Sequence, residues 1–219
     1  MKIKICGLKD PENIKHIAAL KPDMMGFIFH PGSPRFAGDQ LIIPPIHSSI
    51  KKAGVFVNAA PSYIIDMIGE HGLDLVQLHG NESPALCEVM SHLVGVIKAF
   101  GIDENFDFKT LAPYSESCSY FLFDTKTDLH GGSGQAFDRE LLNGYDGSVP
   151  FLLSGGVGAE EISNFRPRIP GFAGFDLNSK FERSPGIKDI ELLGSVLPQT
   201  TGKKVNNNQQ HSYDQLPGR

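Results

Sequence analysis

Short apolar runs alternate with stretches of helical periodicity along most of the chain. Each run is rich in Val, Ile, Leu and Phe and almost continuously hydrophobic, as strands of a parallel sheet are when both of their faces are buried. We predict a strand in each of eight runs: Ile3–Cys6, Met24–Phe29, Ala53–Val57, Leu73–Leu78, Leu93–Ala99, Tyr120–Phe123, Phe151–Leu153 and Phe172–Leu177.

Between the predicted strands, apolar residues recur at helical spacing. The first of these stretches follows Asp10, a good capping residue, and has Pro11 at its first helical position. The predicted helices are Pro11–Leu20, Pro61–Glu70, Ser83–Met90, Asp138–Asn143, Ala159–Phe165 and Ile187–Leu197. Pro44 and Pro45 interrupt the stretch after the second strand, so a helix there is expected to be short or broken.

Strand and helix alternate eight times within about 200 residues, which predicts an α/β fold, a single-domain (β/α)8 TIM barrel. A doubly wound parallel sheet is the alternative, although it seldom needs eight units. The barrel domain is expected over residues 1–198. From Gln199 onward the composition turns polar, so residues 199–219 are predicted to be a disordered tail without chemistry.

Composition and charge narrow the class of protein. The 219 residues include 25 acidic and 20 basic side chains, a net charge of −5, which argues against a nucleic-acid partner. The apolar runs fall far short of the ~20 residues that span a bilayer, so no membrane partner is expected. Three cysteines, Cys6, Cys87 and Cys118, are too few for a disulfide framework and favour a cytoplasmic location.

Functional side chains of a barrel lie where its strands end and the following loops begin. Cys6 ends the first strand before a glycine, which makes it a candidate reactive thiol, with a buried apolar role as the alternative. Asp124 follows apolar and aromatic residues at the end of the sixth strand and is a candidate acid, with a turn cap as the alternative. Arg35 follows the second strand, and Gln77 and His79 close the fourth.

A glycine-rich turn after the seventh strand predicts an anion site. Gly155 and Gly156 free backbone N–H groups to face an anion, and the eighth strand supplies Asn178 and Ser179 beside them. An ordinary left-handed turn is the alternative. The long polar connection Thr125–Ala136 lies at the same end of the barrel and is a candidate lid.

Two further classes of site are not expected. The histidines show no pair at metal-ligand spacing, so no metal is predicted. The Gly131–Gly134 run lacks the following helix start that a dinucleotide loop needs, so no cofactor is predicted.

The motifs at the strand ends, taken in order, resemble those of the phosphoribosylanthranilate isomerase family. The resemblance covers residues 4 to 189 and leaves only the tail outside. It rests on Lys4–Leu8, Gly26–Phe29, Ser33–Arg35, Gly54–Asn58, Val76–Gly80 with Glu82, Phe123–Thr125, Gly131–Gly134 with Phe137 and Asp138, Leu153–Val157 and Asp176–Ser179, followed by Glu182, Pro185, Gly186, Lys188 and Asp189.

The resemblance implies an isomerase of tryptophan biosynthesis that works without a cofactor on a small phosphoribosyl-anthranilate substrate. It implies that Cys6 is the general base at C2′ and that Asp124 is the general acid at the ribose ring oxygen. It also implies that Arg35 binds the anthranilate carboxylate. The pocket would be lined by Gln77, His79 and Asp176, and the phosphate would be held at Gly155, Gly156, Asn178 and Ser179. A monomer and a homodimer both remain open.

Two departures from the family pattern bear on the site. Lys180 replaces a glycine and is expected to add a cation near the phosphate, and Arg139 replaces an aromatic residue. These departures are the only support for one alternative, a barrel that binds a phosphate ligand without turnover. Another alternative is a neighbouring sugar-phosphate enzyme, either a metal-dependent epimerase or an indole-glycerol-phosphate synthase, but the strand ends carry neither residue set.

Overall fold

The computed structural model describes residues 1–126, 136–165 and 169–200, with backbone only for 198–200. Within these residues eight parallel strands close into a barrel, each paired with the next in chain order and the last with the first. The strands are β1 (Lys2–Ile5), β2 (Met24–Ile28), β3 (Lys51–Phe56), β4 (Leu75–Leu78), β5 (Gly95–Ile102), β6 (Tyr120–Thr125), β7 (Phe151–Leu153) and β8 (Phe172–Leu177). The predicted (β/α)8 barrel is confirmed, and the doubly wound sheet is wrong.

Helices and short 3-10 segments connect the strands on the outside. The α-helices of the described residues are α1 (Pro11–Ala19), α2 (Pro61–His71), α3 (Pro84–Ser91), α4 (Ala159–Asn164) and α5 (Ile190–Thr200). The first begins as expected, because the Asp10 carboxylate accepts from the backbone N–H of Asn13 at 2.7 Å. Three 3-10 helices cover Phe108–Tyr114, Arg139–Gly144 and Ser179–Phe181.

Two predicted helices differ from the structure. The segment predicted as a helix over Asp138–Asn143 is a single 3-10 helix, a form that suits short connections. The helix predicted from Ile187 begins instead at Ile190, because the Asp189 carboxylate caps it through the N–H of Leu192 at 3.0 Å. Ile187 and Lys188 form a short strand, β10, antiparallel to β9 (Glu182–Ser184).

The connection from β2 to β3 contains no helix in the described residues. We expected Pro44 and Pro45 to shorten or break a helix there, and the structure has none. Leu41 and Ile50 of this connection are buried against the barrel, so the chain covers the core without regular structure.

The barrel interior is apolar at one end and polar at the other. A small apolar cluster fills the part of the interior away from the carboxyl ends of the strands: Met24, Ala53, Leu75, Ile97, Ala99, Leu122 and Leu152. Near the carboxyl ends of the strands the buried side chains are polar or charged: Lys4, Gln77, Asp124, Ser154 and Asp176. Since burying charge is costly unless it is paired, this polar end is the candidate functional site.

Three expectations fall on the ends and gaps of the described chain. Gln199 and Thr200 belong to α5, two residues beyond the predicted barrel boundary. Residues 201–219 of the predicted tail and residues 127–135 of the predicted lid lie outside the described residues. In the part of the chain that is described, no helix has both the length and the apolar character needed to cross a bilayer.

Candidate active site

A buried ion pair stands beside the Cys6 thiol at the end of β1. Lys4 Nζ lies 2.8 Å from Asp176 Oδ1 of β8, and the two side chains are 0% and 4% exposed. Burial raises the pKa of the Cys6 thiol, because a thiolate loses its hydration there, while the neighbouring Lys4 ammonium opposes that rise. The net pKa of Cys6 lies above its ordinary value.

The absence of a side chain at Gly26 makes room for this arrangement. A Cβ at that position of β2 would lie 2.7 Å from Cys6 Sγ and 3.0 Å from Lys4 Nζ. Glycine therefore allows the thiol and the ammonium to share one small space inside the barrel.

Asp124 of β6 lies next to His79 and Gln77 at the end of β4. Asp124 Oδ2 is 3.3 Å from His79 Nε2, and His79 Nδ1 is 2.7 Å from Gln77 Nε2. Because an amide nitrogen can only donate, Nδ1 accepts from Gln77, and Nε2 faces Asp124. Asp124 Oδ1 accepts from the Thr125 N–H at 2.8 Å, and buried Gln77 Oε1 has no partner among the described residues.

A second buried ion pair, between Lys98 and Glu82, fixes the loop that carries His79. Lys98 of β5 donates to Glu82 Oε2 at 3.1 Å and to the carbonyls of Leu78 and Gly80 at 3.1 and 2.8 Å. Glu82 in turn accepts from the Gly80 N–H at 2.8 Å. These bonds fix the end of β4 and therefore the position of the imidazole relative to Asp124.

Arg35 is paired with a carboxylate that comes from the far end of the chain. Its Nε and Nη2 donate to the Glu182 carboxylate at 2.8 to 3.0 Å, a bidentate contact. Lys188 Nζ binds the same carboxylate at 2.7 Å and Asn178 Oδ1 at 2.7 Å. Burial favours the protonated acid, but these two cations hold the pKa of Glu182 below its ordinary value.

The predicted anion site lies on neighbouring strands. Gly155 and Gly156 follow β7 with φ of +75° and +66°, and Asn178 and Ser179 follow β8. Within the described residues the N–H groups of Gly155, Gly156 and Ser179 have no hydrogen-bond acceptor. Three unpaired backbone donors at the mouth of the barrel are what an anion needs.

Lys180 is exposed on the 3-10 helix that begins at Ser179. It forms no ion pair with the described residues. Its expected contribution to phosphate binding stays a prediction.

A cavity of about 410 Å³ opens beside His79 and Asp124 at the ends of β4 to β6. Aromatic side chains of Phe100, Phe106 and Tyr114 form part of its wall, and its size falls within the range of small-molecule sites. The described part of the chain holds no group of three or more His, Cys, Asp or Glu side chains placed for a metal ion.

The structure brings every predicted site residue to the same end of the barrel. The sequence reasoning assigned no role to five charged side chains that hold them there: Lys4, Glu82, Lys98, Glu182 and Lys188. Lys4 and Lys98 did carry a signal, since each is the one charged residue of a predicted apolar run, Ile3–Cys6 and Leu93–Ala99. A charge in that position must find a partner inside the barrel.

Comparison with known proteins agrees with the motifs. The chain is 45% identical over 207 residues to the N-(5'-phosphoribosyl)anthranilate isomerase of Parabacteroides distasonis, covering 91% of this chain and 93% of the relative. It is 41% identical over 205 residues to the enzyme of the same name from Phocaeicola vulgatus, covering 93% and 99%.

Solved structures show the same fold. Phosphoribosyl anthranilate isomerase from Thermotoga maritima superposes with a TM-score of 0.80 at 32% identity, covering 92% of this chain and 99% of that one. A phosphoribosyl anthranilate isomerase in complex with reduced 1-(O-carboxyphenylamino)-1-deoxyribulose 5-phosphate superposes with a TM-score of 0.77 at 28% identity, covering 92% and 99%.

The family model described as N-(5'-phosphoribosyl)anthranilate (PRA) isomerase matches residues 3–199, almost the whole described chain. The chain therefore belongs to the phosphoribosylanthranilate isomerase family, as its motifs predict, and is an isomerase of tryptophan biosynthesis.

Proposed function

We propose that Cys6 and Asp124 convert N-(5-phosphoribosyl)anthranilate to 1-(2-carboxyphenylamino)-1-deoxyribulose 5-phosphate by acid and base catalysis. The observation that carries this proposal is their placement. Cys6 follows β1, and Asp124 lies near the end of β6, three strands away around the closed barrel. The Gly155–Gly156 turn follows β7, which lies between these two strands. A sugar whose phosphate sits at this turn reaches both groups.

The acid step takes place at the ribose ring oxygen. Asp124 delivers a proton to that oxygen, the bond between C1′ and the ring oxygen breaks, and the anilino nitrogen and C1′ become a protonated Schiff base. The backbone bond from Thr125 occupies Asp124 Oδ1, which leaves Oδ2 to carry the proton. His79 Nε2 lies 3.3 Å from Oδ2 and orients the carboxyl group.

The base step takes place at C2′. The Cys6 thiolate removes the C2′ proton, and the electron pair moves into a C1′–C2′ double bond as the Schiff base accepts electrons. The resulting enol amine rearranges to the ketose, so that no atom is lost and no redox carrier is needed. The Lys4 ammonium favours the thiolate over the thiol and so supports this role.

Arg35 has a free edge for the anthranilate carboxylate. A guanidinium offers two bidentate edges, one formed by Nε and Nη2 and the other by Nη1 and Nη2. Glu182 occupies the first, and Nη1 makes no hydrogen bond to the described residues. The second edge therefore supports binding of a carboxylate in the loop after β2, close to Gly7, the residue that follows Cys6.

The pocket and the phosphate site complete the assignment. Gln77 and Asp176 are buried in the barrel interior, and buried Gln77 Oε1 offers an acceptor for a ribose hydroxyl. The phosphate is held by the unpaired amides of Gly155, Gly156 and Ser179, with Asn178 beside them.

Turnover of freshly prepared phosphoribosylanthranilate by single variants tests the proposal. Since the chain has no tryptophan, the fluorescence of the anthranilate group can be followed without indole emission. Cys6→Ala and Asp124→Asn are each expected to lower kcat by more than about a hundredfold, the range that acid or base catalysis contributes. Cys87→Ala, a buried thiol on α3 to which no catalytic role is assigned, is the matched control and should retain activity.

Two outcomes would contradict the assignment. Turnover within tenfold of the wild type in either Cys6→Ala or Asp124→Asn would show that the roles are wrong. Tight binding of a product analogue by the wild type without any turnover would favour a barrel that binds a phosphate ligand without catalysis.

We also propose that the enzyme acts in the cytoplasm as a monomer or homodimer. All three cysteines are unpaired and buried, which supports a reducing compartment. Fractionation of the producing cells tests the location, and analytical ultracentrifugation tests the oligomeric state.

A further inference from the structure

Arg139 makes a group of contacts that the reaction described above does not use. It begins the 3-10 helix within the β6–β7 connection, and its guanidinium donates to the carbonyl oxygens of Ser154 at 3.1 Å and Gly155 at 2.6 Å. Its Nε also donates to Glu161 Oε1 of α4 at 2.8 Å, and the guanidinium lies 4.4 Å from the centre of the Phe137 ring. The side chain is only 17% exposed.

Because of the geometry of the peptide bond, these contacts also orient the backbone N–H groups of the turn. In a trans peptide the C=O and the N–H of the next residue point in opposite directions, and the described chain has no cis peptide. The Ser154 carbonyl shares its peptide with the Gly155 N–H, and the Gly155 carbonyl shares its peptide with the Gly156 N–H. By holding both carbonyls on one side, Arg139 turns both N–H groups to the other side.

These two N–H groups are two of the three unpaired donors of the anion site. Both belong to glycines with positive φ, and glycine has more backbone freedom than any other residue, so the turn needs an external contact to fix it. The turn is also close to the acid, because a Cβ on Gly155 would lie 2.9 Å from Asp124 Oδ1. A contact that fixes the turn also fixes the phosphate donors relative to Asp124.

We propose that Arg139 is a positioning residue that orients the Gly155 and Gly156 amides toward the substrate phosphate. The inference rests on the proposed function, since it names a second layer of the same site. Glu161 neutralises the charge of Arg139, so the effect runs through the shape of the turn and not through direct attraction of the phosphate. The planar fork of the guanidinium is what allows one side chain to hold two carbonyls and a carboxylate.

The test compares Arg139→Gln, Arg139→Lys and a matched control, Arg183→Gln. Arg183 also pairs with a carboxylate, Asp189 at 3.2 Å, but is 59% exposed and touches neither glycine. For each protein the Kd of inorganic phosphate is measured by calorimetry. Steady-state kinetics with the isomerase substrate gives kcat and KM, and circular dichroism gives the melting temperature.

Arg139→Gln is expected to raise both the Kd of inorganic phosphate and KM by about tenfold, with kcat within about threefold of the wild type. Arg139→Lys keeps the charge but lacks the fork, so it should recover only part of the loss, and Arg183→Gln should match the wild type. If Arg139→Gln does not fold, Arg139→Lys takes its place and should still raise the Kd.

A lowered melting temperature with an unchanged Kd for phosphate would overturn the inference, because replacing an arginine with a purely structural role changes stability and leaves phosphate affinity unchanged. Full recovery of phosphate affinity in Arg139→Lys would also overturn it, since charge and not geometry would then be responsible. A wild-type protein that neither turns over the substrate nor binds phosphate would overturn the proposed function, and this inference with it.

Discussion

Lys4 Nζ and Asp176 Oδ1 form a 2.8 Å ion pair in the interior of the barrel, between the first strand and the last. The pair closes the seam between β1 and β8 and lies against the thiol of Cys6. Burial disfavours either charge alone, so each group depends on the other. The stability of the barrel and the chemistry of its thiol are therefore linked through one contact.

Removal of one partner of this pair should be costly. Lys4→Met leaves the Asp176 carboxylate buried without its cation, and we expect the free energy of unfolding to fall by about 3–5 kcal/mol in urea. Lys2→Met is the matched control on the same strand, because the Lys2–Asp23 pair is 44% and 38% exposed and should contribute less than about 1 kcal/mol. Equal losses in the two variants would contradict the prediction.

The same pair should set the pH dependence of catalysis. If Cys6 acts as a thiolate, kcat/KM rises with pH through the pKa of Cys6, which burial places above its ordinary value. Lys4 lowers that pKa and Asp176 raises it. Lys4→Met should therefore move the rising limb to higher pH, and Asp176→Asn should move it to lower pH.

The two opposite shifts distinguish an electrostatic effect from damage to the fold. The pH profile of kcat/KM measures them, over the pH range in which circular dichroism shows each variant folded. Shifts in the same direction, or none, would count against Cys6 as the group that titrates.

Gly26 is expected to be essential for the space beside the thiol. The methyl group of Gly26→Ala would lie 2.7 Å from Cys6 Sγ, so the thiol or the strand must move. We expect kcat to fall by about tenfold or more and unfolding to become easier by about 1–3 kcal/mol. Gly69→Ala at an exposed position of α2, where a Cβ meets nothing within 4 Å, should be neutral or stabilising. A kcat of Gly26→Ala equal to that of the wild type would contradict this prediction.

Arg35 should bind substrate through a geometry that lysine cannot reproduce. Lysine has no bidentate edge to offer to Glu182 or to a substrate carboxylate, so Arg35→Lys is expected to raise KM by about tenfold with a smaller effect on kcat. Lys9→Met removes a cation whose one hydrogen bond to the described residues goes to the Pro34 carbonyl at 3.0 Å, and it serves as the control. Steady-state kinetics with both variants checks the prediction, and an unchanged KM in Arg35→Lys would exclude the carboxylate role.

Local pattern was sufficient for most of the scaffold. Every predicted strand is present with shifts of at most a few residues at its ends, because a buried parallel strand requires an apolar run whatever surrounds it. The Asp10 cap and the Pro44–Pro45 break acted as expected, since both depend on neighbouring backbone groups. Strand ends also located Cys6 and Asp124, because all strands of a barrel end on one face.

Contacts between distant segments could not be read from the chain. Arg35 and Glu182 are 147 residues apart and Lys4 and Asp176 are 172 apart, so their pairing depends on barrel closure and strand register. The extent of the 3-10 helix over Arg139–Gly144 and the use of Arg139 to hold two carbonyls likewise depend on packing against β7 and α4. Apolar periodicity reports which residues are buried, whereas the partner of a buried charge is defined only when the folded chain places one within hydrogen-bonding distance.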